Sequence, residues 1–246
     1  MSLPSKIFVT GTDTGVGKTV VTAALAHCLS EAGKRVSVVK PVQTGTSCQK
    51  VSDIQFVYKL LGRDINYTDH CPYSFSQPLS PKTGAELENS CIDIEIIKSA
   101  INKQARLNDI VIIEGAGGLM VPITERFSMA DLAKDTGCKL IVTARPGLGT
   151  INHTALSIEY AKSRGLQILG IVINNFPKEP GLSEKTNPQE LIRITGVPVV
   201  GVLKNDTAID VENGHLGMLK NNSVNSFISQ FGGNLEIDEF LSSIKL

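Results

Sequence analysis

The residues best placed to do chemistry in this chain are two lysines, Lys18 and Lys40, and three hard oxygen donors, Thr19, Asp53 and Glu114. Together they suit the handling of phosphates and a divalent cation. Residues 9–19 read V-T-G-T-D-T-G-V-G-K-T, a glycine-punctuated loop that ends in Gly-Lys-Thr. Between a strand and a helix such a loop wraps phosphate. The N–H groups of Gly15, Val16, Gly17, Lys18, Thr19 and Val20 point at the anion, the lysine adds a mobile charge, and the threonine hydroxyl can ligand Mg²⁺. Thr14, inside the same loop, joins Lys18 and Lys40 as an expected catalytic residue. Five residues separate Gly11 from Gly17, one more than the usual G-x-x-x-x-G-K-T spacing. A glycine-rich turn that only caps a helix is the plainer alternative, and the flanking strand and helix patterns favour nucleotide binding over it.

The elements that must position these groups are legible as alternating runs. Apolar stretches suited to buried strands fall at 7–10, 36–40, 110–114, 140–144, 168–174 and 197–203. Helical patterns at 18–32, 53–61, 93–106, 129–136, 152–163 and 188–194 separate most of them. Strands without polar alternation, interleaved with helices, imply a mostly parallel sheet covered on both faces. The expected fold is α/β, a single doubly wound domain over residues 1–246 with no element assigned to 206–246. Gly33, Gly137, Gly165 and Gly196 each fall between a helix and the next strand, where a left-handed cap is needed. Residues 62–87, rich in Pro, Ser and Tyr, read as a long irregular loop of the functional or mobile kind.

In a doubly wound sheet the ligand lies at the carboxyl ends of the strands. There Lys40 and the Thr44 hydroxyl of K-P-V-Q-T-G (40–45) come near the phosphates, and Glu114 is followed by Gly115, Ala116, Gly117 and Gly118, whose backbone can approach a ligand closely. The turn over 147–152 opens a helix and fits a carboxylate, while Asn174 and Asn175 suit a base edge. Asp53 is expected at a helix N-cap and, with Thr19 and Glu114, offers three oxygens to Mg²⁺. Each of these positions has a plain reading on its own as a solvated lysine, a cap or a turn. Five strand ends carrying ligand chemistry in register favour a binding site.

Composition narrows the partners. Lys plus Arg equals Asp plus Glu at 24 each, which leaves no electrostatic case for nucleic acid or an anionic membrane. No 18-residue apolar run and no charged-then-apolar leader occur, so a cytoplasmic protein acting on a small ligand is expected. The five cysteines, Cys28, Cys48, Cys71, Cys91 and Cys138, form no C-x-x-C pair and read as reduced, mostly buried fillers. The four histidines have no partner motif; no Ser-His-Asp or zinc spacing is present.

Four segments carry a specific resemblance: G-T-D-T-G-V-G-K-T at 11–19, K-P-V-Q-T-G at 40–45, E-G-A-G-G at 114–118 and L-G-T-I-N-H at 148–153. Over about residues 5–205 the chain resembles the dethiobiotin synthetases, in which the longer loop spacing is itself characteristic. The resemblance implies a P-loop NTPase-like fold and a homodimeric ligase that uses ATP, Mg²⁺ and CO2 (or bicarbonate) to close a ureido ring on 7,8-diaminononanoate. Dethiobiotin, ADP and phosphate would be the products, in biotin synthesis. By the same resemblance Lys18 and Lys40 would hold the phosphates and the developing anion, and Thr19, Asp53 and Glu114 would bind magnesium. Thr44 would contact the carbamate. Gly149, Thr150, Ile151 and Asn152 would hold the diaminononanoate carboxylate in the partner subunit's site, with Gly118 and Leu148 completing the substrate set. Asn174 and Asn175 would meet adenine, and Leu203, Lys204 and Asn205 would edge the nucleotide. The chain departs from the pattern at Gly15, glutamate in some members, and at Lys204, proline in many. A partition or site-selection switch ATPase would need a signature lysine where Asp13 stands, and amidotransferase-linked synthetases need a glutaminase domain for which 246 residues leave no room.

Overall fold

Short runs of Val, Ile and Leu form the centre of the molecule because both of their faces are covered. The structure, a computed structural model, describes residues 5–47, 49–228, 240 and 242. In chain order, β1 (Ser5–Gly11) leads to α1 (Lys18–Glu31), β2 (Val36–Val39), β3 (Val42–Thr44), α2 (Asp53–Leu61), α3 (Tyr67–His70), β4 (Tyr73–Phe75) and α4 (Pro81–Leu87). Next come α5 (Ile94–Leu107), β5 (Ile110–Glu114), β6 (Pro122–Thr124), β7 (Phe127–Ser128), α6 (Met129–Asp135), β8 (Lys139–Ala144) and α7 (Thr150–Ser163). They are followed by β9 (Ile168–Phe176), α8 (Leu182–Thr195), β10 (Val199–Lys204), β11 (Ile209–Asp210), β12 (His215–Leu216) and α9 (Leu219–Ile228).

Six strands form one parallel sheet in the order β10-β9-β8-β1-β5-β2. Alternate residues of each strand face opposite layers. Ile7, Val9, Ile110 and Ile112 pack with the buried face of α1 and with Phe227 of α9, whereas Phe8, Val111 and Ile113 pack with Ile97 and Ile101 of α5 and with α6. The parity continues across β8 and β9, whose Val142, Ala144, Ile171 and Ile173 join Ile158 of α7 and Leu191 of α8. The expected doubly wound α/β sheet is therefore present. The chain passes from β1 to the edge strand β2, returns to β5 and then crosses to β8 on the other side of β1, so the direction of winding reverses beside β1 and the carboxyl ends of β1, β5 and β8 lie side by side.

The four expected cap glycines adopt left-handed φ values of 77, 67, 73 and 69° at Gly33, Gly137, Gly165 and Gly196. Other expectations are corrected. Residues 62–87 are not an irregular loop: they contain α3, β4 and α4. β4 exists only by pairing in parallel with β3, Val42 opposite Tyr73 and Thr44 opposite Phe75, a tertiary contact that no local pattern announces. α4 did carry a local signal, since Ser80 caps it by accepting the Thr83 N–H and Pro81 occupies its first position. Pro188 does not start a helix but lies inside α8, which begins six residues earlier at Leu182. Asp53 is not the N-cap of α2. Ser52 is, in a reciprocal box with Gln55, and this leaves the Asp53 carboxylate available to another partner. The expectation for Cys48 lies outside the described residues. Burial pushes the Cys28, Cys71 and Cys138 thiols up to about 11, as suits inert fillers.

Candidate active site

The glycine loop joins β1 to α1. Gly17 takes φ 87° as the N-cap of α1 with no side-chain cap, so the first amides of the helix remain available to an anion. Asn174 packs beneath it and donates Nδ2–H to the Val16 carbonyl at 3.0 Å. The Asn174 amide donor thus braces the loop. Lys18 is only 8 % exposed, and its Nζ donates to the Asp13 carbonyl at 3.3 Å. Burial, aided by the nearby Lys40 charge, lowers its pKa to about 8 despite the opposing pull of Glu114, Asp53 and Asp13.

This lowered value has a consequence for binding. A bound polyphosphate needs Lys18 charged, and free protein loses that charge as pH rises through about 8. ATP affinity is expected to be level below that value and to fall above it, by at most about tenfold per pH unit for one linked proton. Calorimetric titration at pH 7, 8 and 9 checks this; a Lys18→Gln variant should lose that component of the slope.

Lys40 follows β2 and is fixed by its N–H donating to the His70 carbonyl at 2.8 Å. Its ammonium lies 2.7 Å from Asp53 Oδ2 and 2.7 Å from Glu114 Oε1. Thr19 Oγ1 donates to the same Glu114 oxygen at 2.9 Å. Burial alone would lower the Lys40 pKa, but the two carboxylates outweigh it and hold the lysine charged. The carboxylates divide their roles. Burial and the Asp53 charge leave Glu114 above the usual carboxylate range, whereas Asp53, although burial pushes it up, is held below that range by Lys40 and by hydrogen bonds from Lys40, Thr19 and Gln43. Gln43 Oε1 also accepts the Asp53 N–H at 3.3 Å.

These contacts test the site for Mg²⁺. Two carboxylates already converge on one cation, the Lys40 ammonium, with a threonine hydroxyl beside them, which is a hard-oxygen set. No group of three or more His, Cys, Asp or Glu is found among the described residues. Mg²⁺ needs none, since it is ordinarily held by one or two carboxylates with water and substrate phosphates. The residues fit the ion.

Two cavities meet at Gly17 and Val20. The larger, about 1380 Å³, is lined by Thr14, Gly15, Lys18, Thr19, Lys40, Thr44, Asp53, Glu114, Ala116 and Gly117 among others. The smaller, about 320 Å³, is lined by Asn174, Asn175, Leu203 and Lys204 and by residues of α9. Most expected residues are thus brought together. Val16, Gly115 and Gly118 line neither cavity: Val16 is buried, a Cβ on Gly115 would meet the Phe8 ring, and one on the half-buried Gly118 would come within 3.1 Å of the Gly11 carbonyl. Asn205 lines neither cavity and donates its N–H to the Phe176 carbonyl at 2.8 Å. Leu148, Gly149, Thr150, Ile151 and Asn152 also line neither. Leu148, 85 % exposed, Gly149 and Asn152 form a separate surface, Thr150 beside them is buried, and Gly149, at φ 86°, is the N-cap of α7 without a side-chain cap.

One cluster escaped the sequence reading. Arg145, directly after β8, places Nη2 3.3 Å from Asp13 Oδ2 and 2.9 Å from His153 Nδ1, tying the phosphate loop to α7. Its position just past a strand end was the available signal. Gln43, which orients Asp53, gave no signal beyond its place in the K-P-V-Q-T-G run.

A family described as an AAA domain matches residues 5–213. The ATP-dependent dethiobiotin synthetase BioD of Bacillus velezensis is 35% identical over 223 residues, covering 90% of this chain and 96% of that protein. The synthetase of the same name from Methanococcus vannielii is 39% identical over 211 residues, covering 84% and 97%. Among solved structures, the Pyrococcus furiosus cell division ATPase MinD superposes with a TM-score of 0.56 at 18% identity over 98% of this chain and 99% of that one, a likeness of fold. The chain belongs to the ATP-dependent dethiobiotin synthetase family.

Proposed function

We propose that this protein uses ATP and Mg²⁺ to close a ureido ring on 7,8-diaminononanoate with CO2, releasing dethiobiotin, ADP and phosphate. The observation that supports this most is Lys40, buried and clamped by Asp53 and Glu114 beside Lys18 at a groove large enough for a second substrate.

The chemistry requires what these residues supply. One amine adds to CO2 and loses a proton, giving a carbamate. Its oxygen attacks the γ-phosphorus and expels ADP, leaving a carbamic-phosphoric anhydride. The second amine then attacks the carbonyl carbon, loses its proton and expels phosphate as the ring closes. Every species is anionic and prone to hydrolysis, so fixed cations and exclusion of water are the main demands. Lys18 and Lys40 provide the cations, and the uncapped α1 amides provide oriented dipoles. Magnesium, held by Thr19, Asp53 and Glu114, would neutralise phosphate charge. The carbamate oxygen is already nucleophilic and needs no general base. Thr44 contacts the carbamate, Asn174 and Asn175 meet the base, and Leu203 and Lys204 edge the nucleotide. In this reading the protein is a cytoplasmic homodimer.

ADP release tests the assignment. It is expected only when diamine and bicarbonate are both present with ATP; release unaffected by the diamine would refute the reading. The alternative, a switch ATPase of the same fold, has only the MinD-like fold in its favour, and Asp13, paired with Arg145, stands where its lysine would be needed.

Dimerisation carries its own prediction. The surface over 148–152 lies apart from both cavities, as it would if it served the partner subunit's site. Mixed dimers of Asn152→Ala and Lys18→Gln chains are expected to recover activity at one site per dimer. Verified mixed dimers as inactive as the parents would contradict the shared site.

A further inference from the structure

The smaller cavity has a wall that the family match does not cover. Gly17, Val20, Asn174 and the end of β10 form one side, all within the matched residues 5–213. The other side is Asn222, Asn225 and Ser226 of α9, which lies beyond the match.

This helix is firmly seated. Ser223 Oγ lies 2.7 Å from His27 Nδ1 on α1, and the fully buried Phe227 packs on Gly201 of β10, where a Cβ would come within 2.9 Å of its ring. Leu219, 4 % exposed, closes its N-terminal end. α9 is therefore registered against α1, the helix whose N-terminus carries the phosphate loop. The two cavities share Gly17 and Val20. A ligand with its phosphates over the start of α1 would have room to extend its other end into the smaller cavity, whose 320 Å³ falls within the range of small-ligand sites.

The polar groups there are not equivalent. Asp206 is occupied, since its carboxylate accepts the N–H groups of Ala208 at 3.0 Å and Met218 at 2.7 Å. Asn174 donates to the loop. The Ser226 hydroxyl donates to the Asn222 carbonyl at 2.8 Å. Asn222 and Asn225 are exposed carboxamides, each carrying a donor beside an acceptor. That pair complements a base edge with an amino group next to a ring nitrogen, as adenine presents.

We propose that Asn222 and Asn225 contact the nucleobase, so that α9, beyond the residues 5–213 that the family model matches, contributes to the affinity of this chain for ATP. The inference rests on the nucleotide-dependent function above, but its test requires no turnover. The full chain, Asn222→Ala and Asn225→Ala are titrated calorimetrically with ATP and, separately, with inorganic triphosphate, which has the phosphates and no base. Alanine is a better helix former than asparagine, so α9 persists in both variants. Each variant is expected to weaken ATP binding about five- to tenfold, the scale of one lost hydrogen bond, and to leave triphosphate binding unchanged. Equal losses for both ligands would assign the helix a structural role and overturn the proposal. So would unchanged ATP affinity in both variants, or a native chain that binds ATP no more tightly than triphosphate. Failure to make dethiobiotin, with these binding differences intact, would count against the synthetase reading alone.

Discussion

Lys40→Gln is expected to lower turnover by about 10² or more, the scale of losing one preorganised anion stabiliser. The same loss is expected for Lys18→Gln, but the two variants should part company in stability. Removing Lys40 leaves Asp53 and Glu114 buried without the cation 2.7 Å from each, and breaking a buried pair costs about 3–5 kcal/mol. Glu114 already lies above the usual carboxylate range, and without Lys40 it rises further. A carboxyl whose folded pKa exceeds its unfolded value supports the fold while protonated and ceases to as pH climbs through the folded value. The Lys40→Gln stability deficit should therefore widen from acid to neutral pH, and Mg²⁺ should narrow it by replacing the missing charge. Lys18 has no such clamp, and burial of its charge is a cost, so Lys18→Gln should melt near the native temperature. Steady-state kinetics and melting over pH check both halves. Native-like turnover in both variants would remove the lysines from the mechanism.

Gly17→Ala should be almost as damaging, and for a backbone reason. Gly17 sits at φ 87°, where an L-residue is strained by about 1–2 kcal/mol. The added Cβ also overlaps the Asn174 amide nitrogen, which is itself fixed by its bond to Val16. Relief requires either the loop or Asn174 to move, and the loop amides are the groups that face phosphate. ATP affinity is expected to fall about 100-fold or more, a loss of about 2.7 kcal/mol. Adding Asn174→Ala to the variant should recover part of that loss, since the overlap disappears while the strained φ stays. Calorimetric ATP binding by the single and double variants decides it; affinity near the native value in Gly17→Ala would show that the loop does not cradle the phosphates.

The sheet was legible because its strands are buried on both faces. Val36, Ile110 and Leu140 begin short, mainly apolar runs without the strict alternation of a half-exposed strand, and such runs fit a parallel sheet when helices alternate with them. The loop was equally plain, since Gly17, Lys18 and Thr19 are local chemistry. What escaped depended on distant partners. β4 is a strand only because β3 lies beside it, Asp53 is free for Lys40 only because Ser52 takes the cap, and Arg145 is informative only once Asp13 and His153 are in place. Asn174 shows the same limit. Its position near the end of β9 marked it as a ligand-facing residue, yet one N–H of its amide goes to Val16 and the side chain is buried, which leaves the exposed Asn175, at φ 56°, as the more accessible of the two. Strand-end position reports where a side chain emerges and not which atom it meets.

Ring closure is read directly by incubating the protein with 7,8-diaminononanoate, ATP, Mg²⁺ and ¹³C-labelled bicarbonate and analysing the products by mass spectrometry. Dethiobiotin carrying one added mass unit is expected, formed only when the diamine is present. ATP binding without labelled dethiobiotin would contradict it, and would leave the phosphate loop in service of a different acceptor.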